Sequence, residues 1–193
     1  MLSTKLSKYS IILASNSPRR QELIKSLDIP FSIKTKEVEE IYPKELKHSE
    51  ITDFLADLKA TPFKKELKEN ELLITSDTIV WINKRALGKP KNNEEAFQML
   101  KEISNNKHEV ITSICITGKS FQKTVNDTTI VYFRKLSDEE INYYINTYKP
   151  FDKAGAYGIQ EWIGKIGITK IEGSYFNVMG FPIHKLYKEL SKL

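Results

Sequence analysis

A short apolar run, Ile11-Ile12-Leu13-Ala14, breaks directly into Ser15-Asn16-Ser17-Pro18-Arg19-Arg20, after which Leu23, Ile24 and Leu27 recur at helical spacing. That order predicts a strand, a tight polar loop and a helix start. Ser17 suits the N-cap, and Pro18 suits the first helical position, where a missing N–H costs nothing. The open N–H groups of a helix start, its dipole and two adjacent guanidiniums all favour an anion, with phosphate the expected ligand. A capped helix with two solvated arginines would give the same local pattern, so the motif needs support from the rest of the chain.

Charge and length restrict what that support can be. The 193 residues, 40% of them hydrophobic, suffice for one well-filled domain, with room for two lobes. The formal charge is +5, but 25 acidic residues stand among 30 basic ones, with no basic tail or arginine-rich block. This balance does not point to nucleic acid, and it suits a small polyanionic substrate equally well. A single cysteine excludes an intramolecular disulfide, and Cys115 lies in an apolar run that reads as a buried strand. His48, His108 and His184 show no metal-ligand spacing. The four-residue apolar run near the N-terminus is too short for a signal peptide, and no stretch approaches the ~18 apolar residues of a membrane span. A soluble, cytoplasmic protein with no membrane partner is expected.

Along the chain the elements alternate. Strand patterns fall near 10–14 and 31–35, on either side of a helix near 17–28. Ile51, Phe54, Leu55 and Leu58 predict a helix behind Ser49. Residues 72–75 and 78–82 read as two strands flanking Ser76-Asp77, followed by a turn at Asn83-Lys84. Asn92 and Glu95 open a helix with Ala96, Met99, Leu100 and Ile103 on its apolar stripe. Residues 109–117 and 123–133 suggest a hairpin around Gly118. Ser137 and Glu140 form a capping-box pattern ahead of a helix that Pro150 stops. Residues 151–165 read as an active loop, 166–172 as a strand, and the last helix begins near 182. The order predicts a mixed α/β fold.

Three further constellations could carry chemistry. Glu39-Glu40 lies in a lysine-rich loop, where adjacent carboxylates cannot both face one site. Asp77 interrupts an apolar stretch, which is costly unless the carboxylate is paired, hydrated or metal-bound, so it is the best candidate base or metal ligand. In Asp152-Lys153-Ala154-Gly155-Ala156-Tyr157-Gly158-Ile159-Gln160, small residues would let backbone approach a ligand, with Lys153 and Gln160 as polar handles. Gly88-Lys89-Pro90 sets one more lysine on a rigid turn. None of these alone is specific.

Taken in order they are. The chain resembles the Maf family of nucleoside triphosphate pyrophosphatases, through LASNSPRR (13–20), the Glu40 loop, LADLKA (55–60), SDTIV (76–80), LGKP (87–90), SNNKHEVIT (104–112), FDKAGAYGIQ (151–160) and IEGSYFNVMGFP (171–182). The DKAGAYGIQ form resembles the subgroup acting on dTTP and UTP. Ser76 departs from an alanine common before the Asp-Thr pair, Phe181 from a leucine, and Glu161-Trp162-Ile163-Gly164 is more particular to this chain. The resemblance implies a twisted mixed sheet with flanking helices in an elongated, two-lobed single domain with a central cleft, spanning 1–193. It implies Mg²⁺ or Mn²⁺ held by Glu40 and Asp77, with Asp77 directing the attacking water. Ser15, Ser17, Arg19, Arg20, Lys59, Lys89 and Lys153 would bind the triphosphate, while Arg19, Thr78 and Gln160 would influence base choice.

The family also implies a homodimer, for which Tyr143, Tyr144 and Trp162 could supply exposed aromatics or could equally be core. An alternative class is a nucleotide- or nucleic-acid-binding regulator of cell division without turnover, since the family was first known as septum-formation inhibitors. Only the pI near 9.0 supports it. Carboxylates beside an anion site argue against it, because without a metal they would repel phosphate.

Overall fold

The computed structural model describes all of Met1–Leu193. Its elements follow the order α1 (Leu2–Lys5), β1 (Ser10–Leu13), α2 (Pro18–Lys25), β2 (Phe31–Ile33), α3 (Ser49–Ala60), β3 (Glu71–Ile82), β4 (Arg85–Leu87), α4 (Asn93–Ile103), β5 (Lys107–Thr117), β6 (Gln122–Phe133), α5 (Asp138–Tyr148), α6 (Trp162–Gly167), β7 (Ile168–Glu172), α7 (Tyr175–Val178) and α8 (Ile183–Leu190). The strands form one seven-stranded sheet, β2-β1-β3-β5-β6-β7, with β4 paired to β3. β1 runs parallel to β2 and β3, whereas β4 on β3 and β7 on β6 are antiparallel, so the sheet is mixed as expected. No helix is long and apolar enough to cross a membrane.

Two compact units divide the chain. The first comprises Met1–Asp77, Thr112–Asp127 and Gly180–Leu193, and the second Thr78–Ile111 and Thr128–Met179. Within the first, Ile12, Leu73 and Cys115 from the sheet pack with Ala56 and Ala60 of α3 and with Phe63 and Leu67. Within the second, Val80, Val110, Val131 and Phe133 pack with the apolar stripes of α4 and α5. Both stripes are held by the predicted caps. The Asn92 side chain accepts from Glu95 N, and Ser137 with Glu140 forms a full capping box.

Four local expectations change. The residues 72–82 make one continuous strand rather than two around a turn, so Asp77 lies inside β3. α2 stops at Lys25, and Asp28 turns the chain with φ 52°. α3 is preceded by His48 at φ 50° rather than capped by Ser49, and Phe54 points outward. The stretch 151–165 is only partly loop, because α6 begins at Trp162 and the last strand follows at Ile168. Glycines mark close packing there. A Cβ on Gly164 would stand 2.2 Å from Ile159 O, and one on Gly167 2.7 Å from the Phe133 ring.

Candidate active site

β1 delivers the chain into the Ser15–Arg20 turn. Ser17 is the N-cap of α2 with Pro18 beside it, as the sequence predicts, but its hydroxyl makes no capping bond. The Ser17 N–H instead donates to Ser15 Oγ at 3.2 Å, and Gln21 Nε2 donates to Ser15 O at 3.2 Å. Arg19 and Arg20 are both half-buried. Arg20 is tied to backbone, since Nε donates to Gly180 O at 2.9 Å and a terminal nitrogen to Ser76 O at 2.8 Å.

α3 and β3 then bring three charged groups together. Thr75 and Asp77, two residues apart, share one face of β3. Ala56 and Lys59, three apart, share one face of α3. The two elements meet in two rungs: Thr75 Oγ1 donates to Ala56 O at 2.7 Å, and Lys59 Nζ donates to Asp77 Oδ1 at 2.5 Å. α3 is further fixed where Ser113 Oγ donates to Asp53 Oδ1 at 2.6 Å and Asn126 Nδ2 reaches both Asp53 oxygens. Lys59 Nζ also lies 3.0 Å from Glu40 Oε1. One ammonium therefore stands between an exposed carboxylate and a buried one, whose side chains are 46% and 8% accessible.

Burial pushes the Asp77 carboxyl above its ordinary value. Lys59 and Arg20 pull it back, while Glu40 adds to the rise. The same burial lowers Arg20, against the pull of Asp77. Asp77 is thus a carboxylate kept in a desolvated place by two cations, a setting that suits a proton acceptor.

In the second unit the 152–161 segment is built with equal tightness. Gly155 adopts φ 68°, donates to Gly88 O at 3.0 Å, and would place a Cβ 2.8 Å from Val80 Cγ2. Tyr157 is buried, its hydroxyl 2.6 Å from His108 Nε2. Burial drives that imidazole down to about 3, so it is neutral and structural. Lys153 is buried and pairs with Asp152 at 2.6 Å and Glu161 at 3.0 Å. Gln160 is half-buried, and its Oε1 is enclosed with no hydrogen-bond partner. Thr78 is half-buried on β3, and Lys89 is exposed on the Gly88–Pro90 turn. Glu40, Lys59 and Asp77 are brought into contact, with no third acidic, histidine or cysteine ligand to make a larger metal-holding group.

The family model described as Maf-like protein matches residues 10–193. The chain belongs to the Maf-like family. It is 62% identical over 193 residues to a Flavobacterium johnsoniae protein named dTTP/UTP pyrophosphatase, covering 100% of both chains. A Christiangramia forsetii protein of the same name is 54% identical, with 100% of this chain and 98% of that one covered. A Bacteroides thetaiotaomicron namesake is 49% identical over 97% of this chain and 98% of its own. Among solved structures, the Staphylococcus aureus Ham1 protein matches with a TM-score of 0.54 at 19% identity, covering 95% of this chain and 98% of that one. That last likeness concerns the fold.

One group in this Maf-like chain escapes its local pattern. Glu161 carried no signal beyond being unusual after Gln160, yet it bonds Lys153 and the Tyr144 hydroxyl. Tyr144, read as a surface aromatic or core, is fully buried, while Tyr143 stays half exposed, edge-on to Trp162.

Proposed function

We propose that residues 1–193 act as a single nucleotide pyrophosphatase domain hydrolysing dTTP and UTP to the nucleoside monophosphate and pyrophosphate. The observation that carries the reading is the Lys59 ammonium set between Asp77 and Glu40, at 2.5 and 3.0 Å. The names of relatives 49–62% identical point to the same reaction and substrates.

Asp77 accepts the proton of the water that attacks the α-phosphorus in line, and its raised carboxyl suits it for that task. Ser15, Ser17, Arg19, Arg20, Lys59, Lys89 and Lys153 bind a triphosphate of roughly four negative charges. Mg²⁺ or Mn²⁺ fits this donor set, because Asp77 and Glu40 already converge on a cation and such ions take one or two carboxylates beside phosphate oxygens. Glu40 and Asp77 would hold it, and when bound it neutralises charge on the phosphates.

Arg19, Thr78 and Gln160 bear on the base. The enclosed Gln160 Oε1 lacks a partner, and a uracil or thymine N3–H would supply one. A methyl and a 2′-hydroxyl distinguish the two substrates, and one methyl-sized difference is worth only ~1–3 kcal/mol, so both are accepted. A cytoplasmic location and a homodimer complete the reading, with the half-exposed Tyr143, backed by Trp162, as the aromatic group available to a second copy.

The test is pyrophosphate release from a panel of nucleoside triphosphates, with Mg²⁺ or Mn²⁺ and with chelator. Turnover of dTTP and UTP within about 200-fold of each other, lost with chelator and weak for ATP and GTP, is expected. No release from any nucleotide would sink the reading and favour a regulator that binds without turnover.

A further inference from the structure

The segment beyond Gln160 holds a group that the proposed reaction does not use. Glu161 is the N-cap of α6, at φ −87° and ψ 177°, yet its side chain accepts no bond from that helix. The carboxylate turns inward. Oε1 lies 3.0 Å from Lys153 Nζ, and Oε2 accepts from the Tyr144 hydroxyl. That hydroxyl accepts in turn from Gly158 N at 3.1 Å, and Glu161 N donates to Gly158 O at 3.1 Å. Glu161, Tyr144 and Gly158 thereby close a ring, from which the carboxylate reaches Lys153.

Two features fix the sense of these bonds. Tyr144 is fully buried, which raises its phenol and keeps it a donor. A Cβ on Gly158 would stand 2.9 Å from the Glu161 carboxyl carbon, so the bare glycine leaves the carboxylate its place. Lys153 has a second partner in Asp152, at the shorter distance of 2.6 Å. The Asp152 side chain, however, is 58% accessible against 19% for Glu161. An exposed pair is screened and holds little, whereas a sheltered carboxylate anchored by a tyrosine directs its partner.

We propose that Glu161 is a positioning residue: clamped by Tyr144, it sets the Lys153 ammonium in the place where it meets the triphosphate. This rests on the reading of Lys153 as a phosphate ligand. Asp152 is the replaceable partner that the phosphate displaces. The competing physical outcome is that Glu161 merely neutralises Lys153, in which case its removal would strengthen binding.

The experiment measures KM and kcat for dTTP with Mg²⁺, together with melting temperature, for the wild type, Glu161→Gln, Lys153→Met, their double mutant and Asp152→Asn. Loss of a charge-assisted hydrogen bond predicts a KM about tenfold higher in Glu161→Gln. Its kcat should stay within about threefold, and the double mutant should be no worse than Lys153→Met alone. Asp152→Asn should leave KM unchanged or lower. An unchanged or lower KM in Glu161→Gln, or additive losses in the double mutant, would overturn the proposal. If Glu161→Gln does not fold, Glu161→Asp keeps the charge but shortens the reach, and a KM equal to wild type would overturn it equally. Should the wild type bind dTTP without turnover, the same pattern in Kd by calorimetry upholds the Lys153 role while the catalytic reading fails. Absence of both turnover and binding overturns the two together.

Discussion

Replacing Asp77 by asparagine should silence the protein and make it more stable. The carboxylate is 8% accessible, and burial outweighs the pull of Lys59 and Arg20, so its folded value lies above the ordinary carboxylate value of 3.8. The sign follows from linkage. Where the folded value exceeds the unfolded one, the native state binds the proton more tightly, and stability falls as pH rises through that interval. At neutral pH the ionised carboxylate therefore costs stability, offset in part by its bond to Lys59. An amide of the same shape removes the charge and still offers Oδ1 to Lys59, which also keeps Glu40 at 3.0 Å. Relief of this kind is worth about 1 kcal/mol, or about 2–4 °C in a chain of this length. Loss of a proton acceptor costs ~10²–10⁴ in kcat. The assay is paired: pyrophosphate release from dTTP, and thermal melts of both proteins without divalent cation from pH 4 to 8. Asp77→Asn should melt higher at pH 7, and the gap should narrow as pH falls toward the ordinary carboxylate value of 3.8, because the folded carboxyl takes up its proton first. A lower melting temperature at pH 7 would mean that the buried charge costs nothing, and kcat above a tenth of wild type in the folded variant would remove Asp77 as the proton acceptor.

Two further substitutions test the scaffold on which the charges stand. Arg20→Met removes the bonds to Gly180 O and Ser76 O, and two charge-assisted bonds at ~1.5 kcal/mol each predict a melting temperature lower by about 6–12 °C. A change within 2 °C would mean that those bonds hold nothing. Gly155→Ala forces a side chain to φ 68° and to within 2.8 Å of Val80 Cγ2, a cost of ~2–4 kcal/mol, so differential scanning calorimetry should find a drop of about 4–16 °C. An unaltered transition would show that the loop adjusts freely.

How much of this could be read beforehand depends on where each partner lies in the chain. The strand, loop and helix start around Ser15–Arg20 were legible because cap, proline and apolar spacing act within a few residues. Even there, the Ser17 hydroxyl makes no capping bond, and Arg20 is spent in part on carbonyls 56 and 160 residues away, which no local pattern reveals. Asp77 was legible as an anomaly, but two polar residues inside an apolar run look like a turn. The strand continues because Thr75 and Asp77 are satisfied by α3. The glycines between 155 and 164 suggested a loop throughout, whereas at Gly164 the bare backbone lets Ile159 O approach. Glu161 was illegible for the same reason: its meaning lies in Tyr144, on another helix.

In the proposed reaction water attacks the α-phosphorus under the direction of Asp77. Hydrolysis of dTTP in ¹⁸O-water, with the products resolved by mass spectrometry, reports which phosphorus is attacked. One heavy oxygen is expected in the nucleoside monophosphate and none in the pyrophosphate. Label in pyrophosphate or in inorganic phosphate would place the attack on another phosphorus and contradict it.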